Sequence, residues 1–251
     1  MPTAVLQIRR EPYYRRAAFE SGLKRLGYTI TDKVFHPASK ADTLCVWNLK
    51  AGADEAAATL FEQRGGTVIV AENGYLQKVD KTYYALSVHG HNGSGTFPVG
   101  DEDRFGKLGF EVKPWREREG QVLVCGQRGI GSRLMASPPQ WAEKMAAQLK
   151  RQGERDVRLR PHPGNFAPKV PLVDDLRGVG VCHIWSSGAG VRALAEGVTV
   201  VHHAPHWICE GWSVIGYQTL GRLRVLNRMA HGQWHHEEIA TGEPFARLLT
   251  C

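Results

Sequence analysis

Between Val157 and His203 three apolar runs alternate with polar turns, and this alternation narrows the possible folds more than any other feature of the chain. The first run ends in Arg160-Pro161-His162-Pro163-Gly164. The second, Val179 to Trp185, ends in Ser186-Ser187-Gly188-Ala189-Gly190. A short helical pattern, Val191 to Glu196, leads to a third run, Val198 to Val201. Strand, turn, helix, strand is the pattern of a parallel α/β sheet. Both polar turns fall at carboxyl ends of strands, where open α/β sheets bind their ligands.

The chemistry of the two turns suits an anionic, hydroxylated ligand. Ser186 and Ser187 offer hydroxyls, and Gly188 leaves backbone N–H groups unobstructed at a helix N-terminus, where the helix dipole favours negative charge. Arg160 adds a permanent positive charge and His162 a titratable donor, its direction restricted by the prolines on either side. The competing reading of each turn is a tight bend followed by a helix cap. Upstream, Gln121 to Gly126 reads as the first strand of the same sheet. It runs into Gln127-Arg128-Gly129-Ile130-Gly131-Ser132-Arg133, a glycine-rich loop with arginines that makes Arg128 and Gly129 phosphate-cradle candidates. The loop lacks the Gly-Lys-Ser/Thr ending of a Walker A motif and the full dinucleotide fingerprint.

A His-Pro turn followed by a Ser-Ser turn and a small-residue helix ending in Glu resembles the nucleotide-sugar half of GT-B glycosyltransferases. The pattern is similar to that of the bacterial sialyl and Kdo transferases, in which such pairs hold the donor nucleotide, and the chain also resembles small phage-encoded glycosyltransferases. The resemblance implies a compact GT-B-like α/β fold, with two Rossmann-like halves facing a cleft, and a UDP- or CMP-sugar as donor. It also implies a donor-binding role for Glu196, on a ribose hydroxyl, and C-terminal helices that brace the first half.

The rest of the chain fits two halves. Residues 1–74 alternate strand and helix: Ala4 to Ile8, a helix over Glu11 to Leu26, strands at Thr29 to Thr31 and Thr43 to Trp47, a helix over Asp54 to Gln63, and a strand from Thr67 to Ala71. The periodicity then breaks over 75–118, where a strand-like piece runs into a glycine-rich loop holding His89, His91 and Asn92; long irregular segments with aromatic content tend to be functional. The expected organisation is an acceptor-side half over 1–118, a donor half over 119–215 and C-terminal helices over 216–251. Glu72, at the end of the fourth strand, is the favoured acceptor base, with His89 and His91 as rivals. The alternative for Glu72 is the start of a turn with Asn73-Gly74.

Charge bears on the acceptor. A net charge of +7 favours a polyanionic partner. With Arg9, Arg10, Arg15 and Arg16 as phosphate contacts, the charge and the small size, together with the resemblance to phage-encoded glycosyltransferases, imply as the first expectation double-stranded DNA carrying hydroxymethylated pyrimidines, as in phage genome modification. The alternatives are a cell-surface glycan with a CMP-activated acidic sugar as donor, and a non-catalytic nucleotide- or DNA-binding Rossmann protein. The five cysteines include no C-x-x-C pair, and Cys45, Cys125 and Cys182 lie in apolar runs, as expected for a reducing cytoplasm. No metal requirement is expected, because the two histidines of the 89–91 stretch have no third ligand placed by the sequence. No apolar run reaches the roughly 18 residues that span a bilayer.

Overall fold

The computed structural model describes residues 1–76, 81–100, 102–117, 120–164, 170–210 and 219–250. In chain order the elements are β1 (Thr3–Gln7), α1 (Arg16–Arg25), β2 (Thr29–Thr31), β3 (Thr43–Trp47), α2 (Ala53–Gln63), β4 (Thr67–Asn73), β5 (Tyr83–Val88) and α3 (Arg104–Lys107). Then come β6 (Gln121–Cys125), α4 (Trp141–Arg151), β7 (Val157–Arg160), α5 (Leu172–Asp175), β8 (Val179–Ile184), α6 (Gly188–Ala195), β9 (Thr199–His202), α7 (Thr219–His231), β10 (Gln233–His235), α8 (His236–Thr241) and α9 (Glu243–Leu248). They form two compact units: residues 1–100 with 131–133 and 231–251, and residues 101–130 with 134–230.

The first unit is built on a six-stranded sheet in the order β10-β5-β4-β3-β1-β2. β1 to β4 are parallel, and β5 and β10 are antiparallel additions at one side. Its parallel strands read as unbroken apolar runs because both faces are covered. Ala4, Leu6, Ile69 and Ala71 pack on one face with Phe19, Leu23, Trp234 and Phe245. Val5, Val68 and Val70 pack on the other with Ala58 and Phe61. This period-two split is the strand repeat itself.

The second unit has a four-stranded, all-parallel sheet in the order β7-β6-β8-β9. The chain leaves β6 for β7 on one side and returns to β8 on the other, so the order reverses between β6 and β8. Two α/β units with parallel sheets constitute a GT-B-like, Rossmann-type architecture.

Three sequence expectations are revised. The helix read over Glu11 to Leu26 begins only at Arg16; Pro12–Tyr14 forms a separate 3-10 turn, and Arg15 breaks the two apart with a left-handed backbone at φ 48°. The expected boundary at 118/119 moves to 100/101. Lys113 and Arg116 donate backbone N–H groups to the carbonyls of Ala195 and Gly197, tying the irregular 110–117 segment to the second unit. The tail is divided: 219–230 belong to the second unit, while 231–250 complete the first. There Gln233–His235, within the stretch expected to be helical, is a strand, β10, paired with β5.

Candidate functional site

The candidate site lies at the carboxyl edge of the second sheet. Gly126 follows β6 immediately, and a Cβ there would lie 3.3 Å from both the Arg160 carbonyl and the His162 nitrogen, so glycine lets the ends of β6 and β7 approach closely. The loop then turns through Gly129 and Gly131, both at positive φ. A cavity of about 400 Å³ opens above it, lined by Gln127, Arg128, Gly129 and His162 together with Pro138, Pro139 and the first turn of α4. That volume suits a small organic ligand.

Gln127 ties this loop to the Ser-Ser turn across the point where strand order reverses. Its Oε1 accepts the Ser186 backbone N–H at 3.2 Å, and its Nε2 donates to Ser186 Oγ at 3.3 Å. Ser187 caps α6, its Oγ accepting from the Ala189 N–H at 3.1 Å, so its hydroxyl proton is not consumed by the cap. Gly190 fits where little else would: a Cβ there would be 2.4 Å from Ile184 Cδ1 and 2.9 Å from Trp207 Cζ2, so α6 lies tight against its sheet.

His162 is held in a defined state. Its Nδ1 accepts the Gly164 N–H at 3.0 Å, which puts the ring proton of the neutral form on Nε2. Burial, reinforced by the charges of Arg128 and Arg160, lowers its pKa, so the ring is a neutral N–H donor at pH 7. A second imidazole pair, His183 and His203, stacks beside Trp141 with nitrogens 3.0 Å apart. Burial and then His203 push His183 down to about 4.

The structure brings Arg128, Gly129 and His162 into one cavity and joins Ser186 to it through Gln127. Two other expected donor residues are placed differently. Arg160 points to the far face of its sheet, where it pairs with Asp175 of α5 and donates to the Val170 carbonyl at 2.9 Å. Alternation along β7 explains this: Val157 packs on α4 and Leu159 faces the cavity, so Arg158 and Arg160 face the other way. Glu196 caps the opposite end of α6 from Ser187, roughly 13 Å along a helix of this length. It is buried among Lys113, Arg116 and Arg192. Burial alone would raise its pKa, but Lys113 and Arg192 lower it, and the group pins the 110–117 segment.

In the first unit, Glu72 Oε1 accepts the Tyr75 hydroxyl at 2.7 Å and the Asn92 N–H at 3.1 Å. Buried His91 lies in the same loop, next in sequence to Asn92. His89 sits apart from them: it follows β5 at the amino end of β4, with its N–H on the Val68 carbonyl and its ring 2.8 Å from Glu62. Arg16 is buried and structural, donating to the carbonyls of Leu6 and Ile8 and pairing with Glu20 and Asp32. Arg10 also pairs with Asp32, whereas Arg9 and Arg15 have no carboxylate partner among the described residues. Among those residues no group of three or more His, Cys, Asp or Glu is gathered for a metal, and no helix is long and apolar enough to cross a membrane.

No family model matches the sequence, and no curated protein does. Solved structures do match. The Thermosulfurimonas dismutans KpsC beta Kdo 2,4 transferase superposes with a TM-score of 0.57 at 14% identity, covering 92% of this chain and 90% of its own. The chain shares its fold with Kdo glycosyltransferases. The KpsC beta Kdo 2,7 transferase of the same organism matches with a TM-score of 0.51 at 12% identity, over 98% of this chain and 99% of that one. At these identities the likeness is one of architecture.

Gln127, Trp141 and the Pro138-Pro139 corner were not singled out as site residues from sequence. Gln127 was legible in principle, as the first side chain after the glycine that ends β6. Trp141 was not, because only the folded loop carries the start of α4 over that edge.

Proposed function

We propose that this chain is a glycosyltransferase whose second unit binds a nucleotide-activated sugar, with a CMP-linked acidic sugar as the donor and a cell-surface saccharide as the acceptor. The observation that carries the reading is the polar, glycine-lined cavity beside Gln127, Arg128 and His162, at the carboxyl ends of β6 and β7 in a fold shared with Kdo transferases. Glycosyl transfer from such a donor breaks the bond between the sugar and the nucleotide phosphate, and negative charge grows on the departing phosphate. Arg128 supplies a fixed positive charge, neutral His162 an Nε2–H, and the α6 N-terminus with Ser187 oriented N–H and O–H donors. Preorganised donors of this kind are a large source of rate enhancement. Arg160 and Glu196 are left out of the donor contacts, because both are engaged elsewhere. No metal is assigned a role, and the side chains named supply the charge compensation.

For the acceptor, Glu72 is our candidate proton acceptor if the reaction inverts, its carboxylate being oriented by Tyr75 and Asn92. The DNA reading is weakened, since two of the four arginines proposed as phosphate contacts, Arg10 and Arg16, pair with Asp32 and Glu20. The test is a thermal-shift series with CMP, UDP and GDP on the intact chain. A ligand that binds only the native state raises the midpoint, and CMP is expected to raise it most. A midpoint unmoved by all three would refute a donor site.

A further inference from the structure

The cavity of the second unit is larger than a phosphate requires, and its lining divides by origin. Arg128 and His162 come from the loops that follow β6 and β7, whereas Pro138, Pro139, Gln140 and Glu143 come from the turn into α4 and its first residues. At about 400 Å³ the cavity falls within the range of sites that enclose a whole small molecule. The first group supplies charge and N–H donors for an anion. The second is chemically different.

Glu143 is its informative member. It is the one carboxylate among the described residues that line the cavity, and a carboxylate repels a phosphate. Its side chain is exposed and has no hydrogen-bond or ion-pair partner among the described residues. The helix dipole favours an acid in the first turn of α4, but that does not account for its place on a cavity wall. Gln140, three residues earlier, is the N-cap of the same helix. Its backbone is left-handed at φ 57°, and its side chain makes no cap hydrogen bond. Non-glycine residues in that conformation persist only where their surroundings fix them, and they gather at ligand sites. The α4 end of the cavity thus presents an anionic acceptor and an uncommitted carboxamide beside two proline rings.

We propose that this end holds the nucleobase, and that Glu143 selects cytosine by accepting a hydrogen bond from its exocyclic amine. The assignment rests on the reading of the cavity as a nucleotide site. A carboxylate accepting from the cytosine amine is a recurrent pairing. Uracil carries a carbonyl at the same position, so its lone pairs would face the carboxylate and leave it unmatched. The Gln140 carboxamide has the N–H donors that the cytosine ring nitrogen and carbonyl accept. A single-ring base also leaves room for the ribose in the same cavity.

The experiment is calorimetric titration of CMP, UMP, GMP and ribose 5-phosphate into the intact wild-type chain, Glu143→Gln and Glu143→Ala. Glu143 is exposed, so both variants are expected to fold, which circular dichroism verifies. The wild type is expected to prefer CMP to UMP by about tenfold, within the range of one such pair. In both variants the preference is expected to shrink to about twofold or less, since a neutral amide can serve either base and alanine serves neither. Ribose 5-phosphate, which has no base, is expected to bind the variants as tightly as the wild type or more so, a nearby negative charge having been removed. A purely electrostatic or structural role for Glu143 would shift CMP and UMP together and preserve their ratio. That result, equal binding of CMP and UMP by the wild type, or GMP bound more tightly than CMP would overturn the cytosine assignment and leave a nucleotide site standing. A wild type that binds no nucleotide would overturn both.

Discussion

The carboxyl ends of the parallel strands in the two sheets occupy equivalent topological positions and are finished in opposite ways. In the second unit the strand ends run into Gly126 and Gly129, which line a cavity, and into the Ser186-Ser187-Gly188 turn, which caps α6. In the first, the strand ends are closed by Tyr13, Tyr14 and Trp47, while Arg16 reaches under them to bind the carbonyls of Leu6 and Ile8. The same architecture thus offers a polar, glycine-lined cavity at one edge and edge-to-face aromatic packing at the other. The difference also shows that arginine near a strand end is not by itself a ligand group: Arg128 lines a cavity, Arg16 holds backbone.

The comparison can be broken most forcefully at Gly190. Gly190→Val would drive a side chain into Ile184 and Trp207. It is expected to cost the second unit about 3 kcal/mol, the upper range for overpacking, seen as a lower urea midpoint. A neutral effect would mean that α6 is not tight on its sheet, and the placement of Ser187 would fail with it. Next in size is Arg16→Ala, which strands the carbonyls of Leu6 and Ile8, removes the partner of Glu20 and leaves Asp32 with Arg10 alone. The expected loss is about 2 kcal/mol of stability, discounted because Asp32 is half exposed. Measured salt-dependent DNA affinity should not follow that loss; a large drop in DNA binding with unchanged stability would restore Arg16 as a phosphate contact.

A subtler contrast is in pH. In the second unit His162, His183 and His203 have pKa values lowered by burial and then by neighbouring cationic or imidazole groups. Lowered values mean that the unfolded chain binds more protons below about 6.5. Their stabilisation is therefore complete above that pH and is lost as pH falls, for His183 down to about 4. In the first unit Asp32 is lowered by hydrogen bonds from Arg10 and Arg16. Burial would raise Asp42, but the N–H groups of Thr3, Ala38 and Ser39 outweigh it. Those contributions persist until pH falls below the ordinary carboxylate range near 4. Hydrogen exchange at pH 5 against pH 7, corrected for intrinsic rates, is expected to show β6 to β9 losing protection while β1 to β4 keep it. Equal loss in both sheets would contradict the assignment.

The sequence was legible where burial is continuous. Thr43 to Trp47, Thr67 to Ala71 and Val179 to Ile184 stand out because parallel strands covered on both faces need unbroken apolar runs. The Ser-Ser and His-Pro turns were legible because glycine and proline mark strand ends. Other features depend on distant partners. The three residues of β10 are defined by pairing with Tyr83–Ala85, far away in the chain. Glu196 reads as a ligand residue until Lys113 arrives beside it from an aperiodic segment. Arg160 fits an anion site by type, and only the alternation of β7 against α4 sends it to the other face.

The central claim is that the Ser-Ser turn and the His162 cavity together hold a nucleotide phosphate. Isothermal titration of CMP into the wild-type chain and into Ser187→Trp tests it most directly, with circular dichroism to verify that the variant is folded. The account expects saturable binding to the wild type and a loss of at least about 100-fold in the folded variant, equivalent to about 2.7 kcal/mol. CMP bound equally well by both proteins would contradict it.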